Sequence, residues 1–439
     1  MNMLKRIGYI LCLVIVCQAQ VLAQTVTINS LEDAIKLALT RNKDYHNYVL
    51  NQSHAELEYK QVKSYRLPSI SGSFSGQKNM DLATTPLPGE IFGQPEQTIE
   101  AQFGQEYTYN AGISISKQLL NREAAIQTRI SKLNVEMMET EKEAFEELLK
   151  EQVSLYFYTG LIAKRSIEIG KQDLQIAKDV NQLSKGKFEE GVVDGITLNT
   201  AAINLNAVKQ NLIASEQLII ECHIELKKLF GMSATDSLNI KGELNYELPK
   251  AYSVEQLRLD PALKNATLRL QQSEMQVKYN RASLLPSLQL NTYYGKQQFR
   301  DDFGFSFSGE DWSNYSYISL GLSVPLFTGF NNRLEIKQGK VNQQIAFNEQ
   351  QEAENFAVLN DQKLIADYEF SRREGMAILE TFKLYKENLN LTLEKYEAGL
   401  VSLDNYLTVF QDYLKAENTY LNAQSKIYTY YSQIISRIE

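Results

Sequence analysis

The sequence predicts an α+β membrane protein. It would be a transmembrane β-barrel shared among several chains, with four strands from each, continued by very long α-helices and built by internal duplication. Three observations carry that prediction. The chain opens on an export signal, one order of elements occurs twice, and each copy joins strand-like alternation to a long run without proline.

The opening segment is MNMLKRIGYILCLVIVCQAQVLAQ. Lys5 and Arg6 precede an apolar core from Ile7 to about Val16, and Val21-Leu22-Ala23 fits the small-residue rule for cleavage before Gln24. A signal peptide over residues 1–23 is therefore expected. An uncleaved anchor is the competing reading, but the apolar run is short for a helical span of roughly 20 residues. No later segment is apolar enough for a transmembrane helix. Cys12 and Cys17 leave with the signal, so the mature chain keeps only Cys222. It then has no intrachain disulfide, and its stability must come from packing or assembly. Cys222 beside His223 reads as a buried or idle helix residue rather than a thiol or metal site.

Internal repetition sets the organisation. A first repeat is expected over residues 24–232, a linker over 233–252 and a second repeat over 253–439, each repeat holding a helix, two strands, a long helix and a return helix. Ser30-Leu31-Glu32-Asp33 opens an apolar-periodic run like a capping box, with Asp33 in the usual Glu/Gln place, and Ser253-Val254-Glu255-Gln256 does the same. Pro68 and Pro286 hold matching places, and Gly112 matches Gly321. All eight prolines lie at 68, 86, 88, 95, 249, 261, 286 and 325, which leaves 96–248 and 326–439 without any.

The alternating segments read as strands. Tyr107, Tyr109, Ala111, Ile113 and Ile115 fall on one face, with Thr108, Asn110, Gly112, Ser114 and Ser116 on the other. In the second repeat Ile318, Leu320, Leu322 and Val324 lie opposite Tyr317, Ser319, Gly321 and Ser323. The strands after Pro68 and Pro286 alternate less cleanly. At about 10 residues each could cross an outer membrane when tilted; a soluble sheet with one wet face is the alternative. Four strands cannot close a barrel, and an open edge in lipid leaves backbone groups unpaired at several kcal/mol each. If the strands span, several chains must share one barrel.

Residues 119–187 and 329–396 read as helices of nearly 70 residues, about 100 Å each. The return helices are shorter, roughly 194–230 and 402–437. Leu403, Tyr406, Leu407, Phe410, Tyr413 and Leu414 form a stripe at helical spacing, which reads as a helix–helix seam. Ile203, Leu205, Val208, Leu212 and Leu218 are its looser counterpart. Residues 78–104 and 300–312 read as external loops. Between each long helix and its return sits a Lys–aromatic–Glu–X–Gly step, "KFEEGVV" from Lys187 and "KYEAGLV" from Lys395. Gly reaches φ > 0 without steric cost and is the usual residue just past a helix end, so Gly191 and Gly399 read as helix–helix turns.

Chemistry is not signposted. The formal net charge of −8 argues against nucleic-acid binding. His46 and His54 stand eight apart, the wrong spacing for two metal ligands on one helix face, and there is no H-E-x-x-H, P-loop or G-x-S-x-G. Carboxylates interspersed with Lys and Arg along helices read as solvated faces. No enzyme activity and no cofactor or metal is expected.

With these elements in place the sequence resembles the outer-membrane efflux protein family, the TolC-like channels. The resemblance is carried by "SLEDAIKLALTRN" (Ser30–Asn42), by "LPS" at Leu67–Ser69 and Leu285–Ser287, by "GLSVPLFTG" (Gly321–Gly329) and by the paired Gly steps, and covers essentially the whole mature chain. It implies a homotrimer with a 12-stranded barrel in outer-membrane lipid and a long helical tunnel in the periplasm. It also implies two partners, a periplasmic adaptor (membrane fusion) protein and an inner-membrane pump of RND or ABC type. On that basis Gly191, Val192, Val193, Gly399, Leu400 and Val401 are expected at an adaptor-docking tip. Asp404, Asn405, Tyr406 and Thr408 are expected at a periplasmic constriction.

Two departures matter. "SKQLLN" (Ser116–Asn121) replaces "VPLFTG" in the first repeat, and Asn405 and Thr408 stand where the best-known members place aspartates. The implied role is a passive conduit in a tripartite efflux system. A type I protein-secretion channel is the alternative within the family, and a structural periplasmic coiled coil the alternative outside it.

Overall fold

In the computed structural model the described residues are 25–93, 98–242, 244 and 249–438. The expected signal, residues 1–23, and part of the expected linker lie outside them. The first repeat runs β1 (Thr25–Ile28), α1 (Leu31–Arg41), α2 (Lys43–Lys63), β2 (Ser69–Lys78), β3 (Thr84–Pro88), β4 (Thr98–Gln102), β5 (Tyr107–Leu120), α3 (Arg122–Glu189) and α4 (Gly195–Leu229). β6 (Ser237–Ile240) follows, and then α5 (Pro261–Ala282), β7 (Ser287–Arg300), β8 (Ser313–Ser323), α6 (Asn331–Glu397) and α7 (Leu403–Ser436).

The chain divides into two compact units, and each unit draws on both repeats. One unit holds residues 51–139 and 264–352. Its sheet has the order β2-β5-β7-β8, antiparallel throughout. Register sets the faces, because residues directly opposite in an antiparallel pair share one. Ile115 and Ile318 both stand across from Thr292, Leu320 from Leu290, Leu322 from Leu288, and Ile70 from Ile115. That face is aliphatic, and Ile70, Ile318, Leu320 and Leu322 are all exposed. The opposite face carries Ser71, Ser114, Asn291, Gln289, Ser319 and Gly321. Tyr293, Tyr315 and Tyr317 share that second face; apolar on one side and polar on the other is the pattern of a strand set with lipid outside and water inside. Within the chain, β2 and β8 are free edges. Next to the sheet, Ile126, Ile130 and Ala282 form a small core with Met275 and Tyr279.

The other unit holds residues up to 50, 140–263 and 353–439. Its first core forms where β1 pairs in parallel with β6, Thr25 opposite Ser237 through Ile28 opposite Ile240. Ile28, Leu238 and Ile240 pack with Ala34 and Ala38 of α1, Leu149, Val153, Phe157 and Leu161 of α3, Leu226 of α4, and Phe230 just beyond it. Cys222 is buried on α4.

Four expectations change. The expected linker contains a strand, β6, which forms because its partner β1 supplies the ladder that four residues alone lack; its Leu238 and Ile240 are buried and its Ser237 and Asn239 exposed. The loop over 78–104 contains a hairpin, with Thr84 opposite Gln102 and Pro88 opposite Thr98. The long helices start at 122 and 331 rather than 119 and 329: Leu119 and Leu120 extend β5, while Gly329 and Phe330 take positive φ of 62° and 67° and cannot be α-helical. Ser253 and Gln256 do make a reciprocal capping box, with Gln256 Oε1 accepting from the Ser253 amide at 3.0 Å, but it closes only a single 3₁₀ turn. α5 begins later, at Pro261, whose missing N–H costs nothing at a helix start and whose ring disfavours helix at Asp260.

Candidate functional site

The two Gly steps fold into the same turn. After α3, Gly191 takes φ 74°, its amide donates to Phe188 O at 3.0 Å, and the Val192 amide donates to Lys187 O at 2.8 Å. After α6, Gly399 takes φ 72°, its amide donates to Tyr396 O at 2.9 Å, and the Leu400 amide donates to Lys395 O at 2.9 Å. Both are Schellman motifs, in which the last free carbonyls of a helix bond back to the first two amides beyond it. Three residues after each Gly the next helix is capped. Asp194 Oδ1 accepts from the Thr197 amide at 2.9 Å, and Ser402 Oγ accepts from the Asn405 amide at 3.2 Å. A Cβ added at either Gly meets nothing within 4 Å. Val192 and Leu400 are 63% and 74% exposed, while Val193 and Val401 are half-buried. Two reversals therefore present bare backbone and one large apolar side chain each.

Behind the turns, α7 supplies most of a shared core. Leu403, Tyr406, Leu407, Phe410, Tyr413 and Leu414 pack with Ala177 of α3, Ala201 and Val208 of α4, and Leu389 of α6. The stripe expected from helical spacing is thus a buried seam. Asn204 of α4 donates from Nδ2 to Leu407 O at 3.0 Å inside it, and Lys187 Nζ sits 5.4 Å above the Tyr396 ring. Of the residues expected at a constriction, Asp404, Asn405 and Thr408 are exposed on α7. Tyr406 is not with them: it is 2% exposed, 6.0 Å from Tyr396 and 6.4 Å from Phe410 between ring centroids. Burial pushes its hydroxyl up to about 12.

One cluster in this seam was not expected from sequence. Asp173 of α3 and Glu417 of α7 are 4% and 6% exposed. Tyr413 Oη donates to Asp173 Oδ1 at a long 3.5 Å, and Asp173 Oδ2 makes no hydrogen bond of normal geometry. Burial is the main force holding Glu417 well above the usual carboxylate range, up to about 9, and the neighbouring Asp173 charge adds to it; Lys386 of α6 pulls the other way. Burial also raises Asp173, against the hydrogen bonds from Glu417 and Tyr413 and the charge of Lys386. Their places along the two hairpins match. Asp173 precedes Gly191 by 18 residues and Glu417 follows Gly399 by 18, so both lie about 27 Å of helix from their turns.

No group of three or more metal-ligating side chains occurs among the described residues, and none of their helices is long and apolar enough to cross a membrane. The sequence profile of the family described as outer membrane efflux protein matches residues 34–232 and 253–436. The chain belongs to that family. The two matched stretches fall within the two repeats, and the channel protein is accordingly an outer-membrane protein with a large periplasmic helical part. No curated protein sequence matches it. Among solved structures, the Campylobacter jejuni CmeC outer membrane channel shares 20% identity over 93% of this chain and 85% of its own, with a TM-score of 0.73. VceC, an outer membrane protein of Vibrio cholerae, shares 15% over 92% and 95%, with a TM-score of 0.76. The open state of the Neisseria gonorrhoeae MtrE outer membrane channel shares 18% over 93% and 88%, with a TM-score of 0.75. At these identities the likeness establishes the fold.

Proposed function

We propose that the protein is the outer-membrane component of a tripartite efflux system, a passive conduit for small molecules working with a periplasmic adaptor and an inner-membrane pump. The observation that carries this reading is the four-stranded sheet with two free edges and one aliphatic face. Unpaired edges are untenable in hydrocarbon. β8 of one copy pairing with β2 of the next removes them, and three copies give a barrel of 12 strands. The Ser-, Asn- and Gly-rich face then lines water.

The paired turns are the adaptor-docking tip in this reading. Gly191 and Gly399 leave backbone open, and Val192 and Leu400 offer the apolar contact. Asp404, Asn405 and Thr408, exposed near the second turn, line the constriction, and buried Tyr406 supports the helix that carries them. With one carboxylate among three side chains, that mouth attracts cations less than a ring rich in aspartate would.

The test is purification and reconstitution. The protein should leave membranes only in detergent, run as a trimer and conduct ions across a planar bilayer. A chain that is soluble without detergent and never conducts is a structural coiled coil instead. Crosslinking in cells, followed by identification of captured proteins, separates the two family uses. An adaptor with a small-molecule pump supports efflux, whereas an ABC pump with a secreted polypeptide overturns it in favour of type I secretion. Gly399→Trp and Gly191→Trp should abolish export while leaving the trimer inserted, because the Cβ added at each turn starts in open space and the bulk beyond it is left to meet the partner, at a left-handed backbone cost of roughly 1–2 kcal/mol.

A further inference from the structure

The buried acid pair has no part in the turn or in the pore as described. A cluster of carboxylates on a helix surface is ordinarily a solvated face, but these two are withdrawn from water between three helices. Around them stand Asp173 from α3, Lys386 from α6, and Tyr413 and Glu417 from α7; the Tyr406 hydroxyl also feels the Asp173 charge. α4 joins the same core through apolar Ala201, Leu205 and Val208. Phe382 of α6 lies flat on Tyr420, with ring centroids 5.1 Å apart and planes 4° apart, and reaches Tyr413 at 5.9 Å. Tyr413, whose hydroxyl reaches Asp173, is thus part of a run of stacked rings. Lys386, the cation that acts on both, is itself exposed, so two ionised carboxylates would be two buried negative charges without that cation buried beside them, and charge in such surroundings is costly.

We propose that Asp173 and Glu417 form a proton-binding site inside the α3–α7 seam, and that the seam closes with the proton bound and opens as the proton is released. In the closed seam Glu417 carries the proton and offers it to Asp173. On opening, the Glu417 O–H bond breaks, the proton passes to water, and both carboxylates are hydrated as anions. Nothing else is oxidised, reduced or transferred.

The sign follows from linkage. Glu417 has an ordinary value of 4.5 and is held near 9 in the closed seam, so between those limits closing takes up one proton. Raising the pH by one unit then shifts the closed–open balance tenfold toward open. The closed form is most secure near pH 4.5 and below, and the effect is spent above about pH 9. The site stands on this seam alone and does not rest on the channel reading.

The test uses the full-length protein in detergent, as wild type and as Glu417→Gln. Infrared difference spectra report the carbonyl stretch of a protonated carboxyl shielded from water. Hydrogen–deuterium exchange of the α7 amides, divided by the intrinsic rate at each pH, reports opening. The wild type should show the carboxyl band at pH 7 and lose it by pH 10, and α7 protection should fall about tenfold per unit between pH 6 and 8. Glu417→Gln should lack the band and show flat protection, since an amide can donate to Asp173 at any pH. The Asp173→Asn, Glu417→Gln double variant controls for folding and should match the single variant. A wild type without the band at pH 7, or a Glu417→Gln protein that keeps the wild-type pH dependence, overturns the proposal. If band and exchange behave as expected but the protein never conducts, the proton site stands and the channel reading falls.

Discussion

Along its 34 residues α7 buries 15, whereas α4, the matching return helix of the first repeat, buries six along 35. The turns that lead into them are nearly superposable in their bonding: Gly at positive φ, two back-bonds to the helix just ended, and a side-chain cap three residues on. Duplication has thus kept the backbone solution and let the side chains part. A tight reversal between helices has few low-cost backbone paths, so Gly and the cap stay. A helix face answers instead to whatever covers it. α7 faces α3, α4 and α6 within its own chain. α4 leaves Ile196, Ile203, Ile213 and Ile220 between 57% and 72% exposed, a row suited to cover by a second copy in the proposed trimer.

The largest expected effect tests that asymmetry. Phe410, fully buried on α7, should cost about 3–5 kcal/mol when cut to alanine, through lost burial and the cavity left behind. Ile203→Ala on α4 should change the stability of the folded chain by no more than about 0.5 kcal/mol and show its effect in the trimer–monomer balance. Denaturant unfolding in detergent, beside sizing of the oligomer, reads both. Equal losses of chain stability would erase the distinction drawn between the two helices.

A smaller effect tests the sameness of the turns. Gly191→Ala and Gly399→Ala each place a Cβ in a left-handed residue, at roughly 1–2 kcal/mol, and neither Cβ meets another atom within 4 Å. The two costs should agree within about 0.5 kcal/mol in thermal unfolding of the purified protein. A clear difference would mean that only one turn is braced by something beyond its own backbone.

What was legible in the sequence follows the same division. Local rules fix the Gly turns, the caps at Asp194 and Ser402, and the period-two faces of β5 and β8, and all of these can be read from spacing. Pairings far apart in the chain cannot. β1 and β6 are four-residue strands that alternate too briefly to stand out, and each is a strand because the other, about 210 residues away, completes its ladder. The hairpin of β3 and β4 hides behind Pro86 and Pro88, which read as loop yet sit where an edge strand tolerates them. Tyr406 shares the buried stripe with Leu403 and Phe410, so helical spacing already set it apart from exposed Asn405 and Thr408; the family parallel drew it toward the mouth instead. Asp173 and Glu417 look like ordinary solvated carboxylates until three helices close over them.

The smallest expected effect separates the two tips by pH. The caps are geometrically alike, but Asp194 is ionisable and Ser402 is not. The amide of Thr197 holds the Asp194 carboxyl below its usual range, so the folded tip binds that proton less readily than the unfolded chain. Its contribution is complete above the unfolded carboxylate value of 3.8 and disappears as pH falls through the lower folded value. Ser402→Ala should cost about 1 kcal/mol at any pH, whereas Asp194→Ala should matter at neutral pH and cease to matter in acid. Amide exchange at Thr197 and Asn405, corrected for intrinsic rates and followed from pH 6 down to about 3, should show the first tip loosening while the second holds. If both loosen together, the acid response belongs to the shared seam rather than to the cap. If neither does, the Asp194 carboxylate adds nothing beyond what a serine supplies at the second turn.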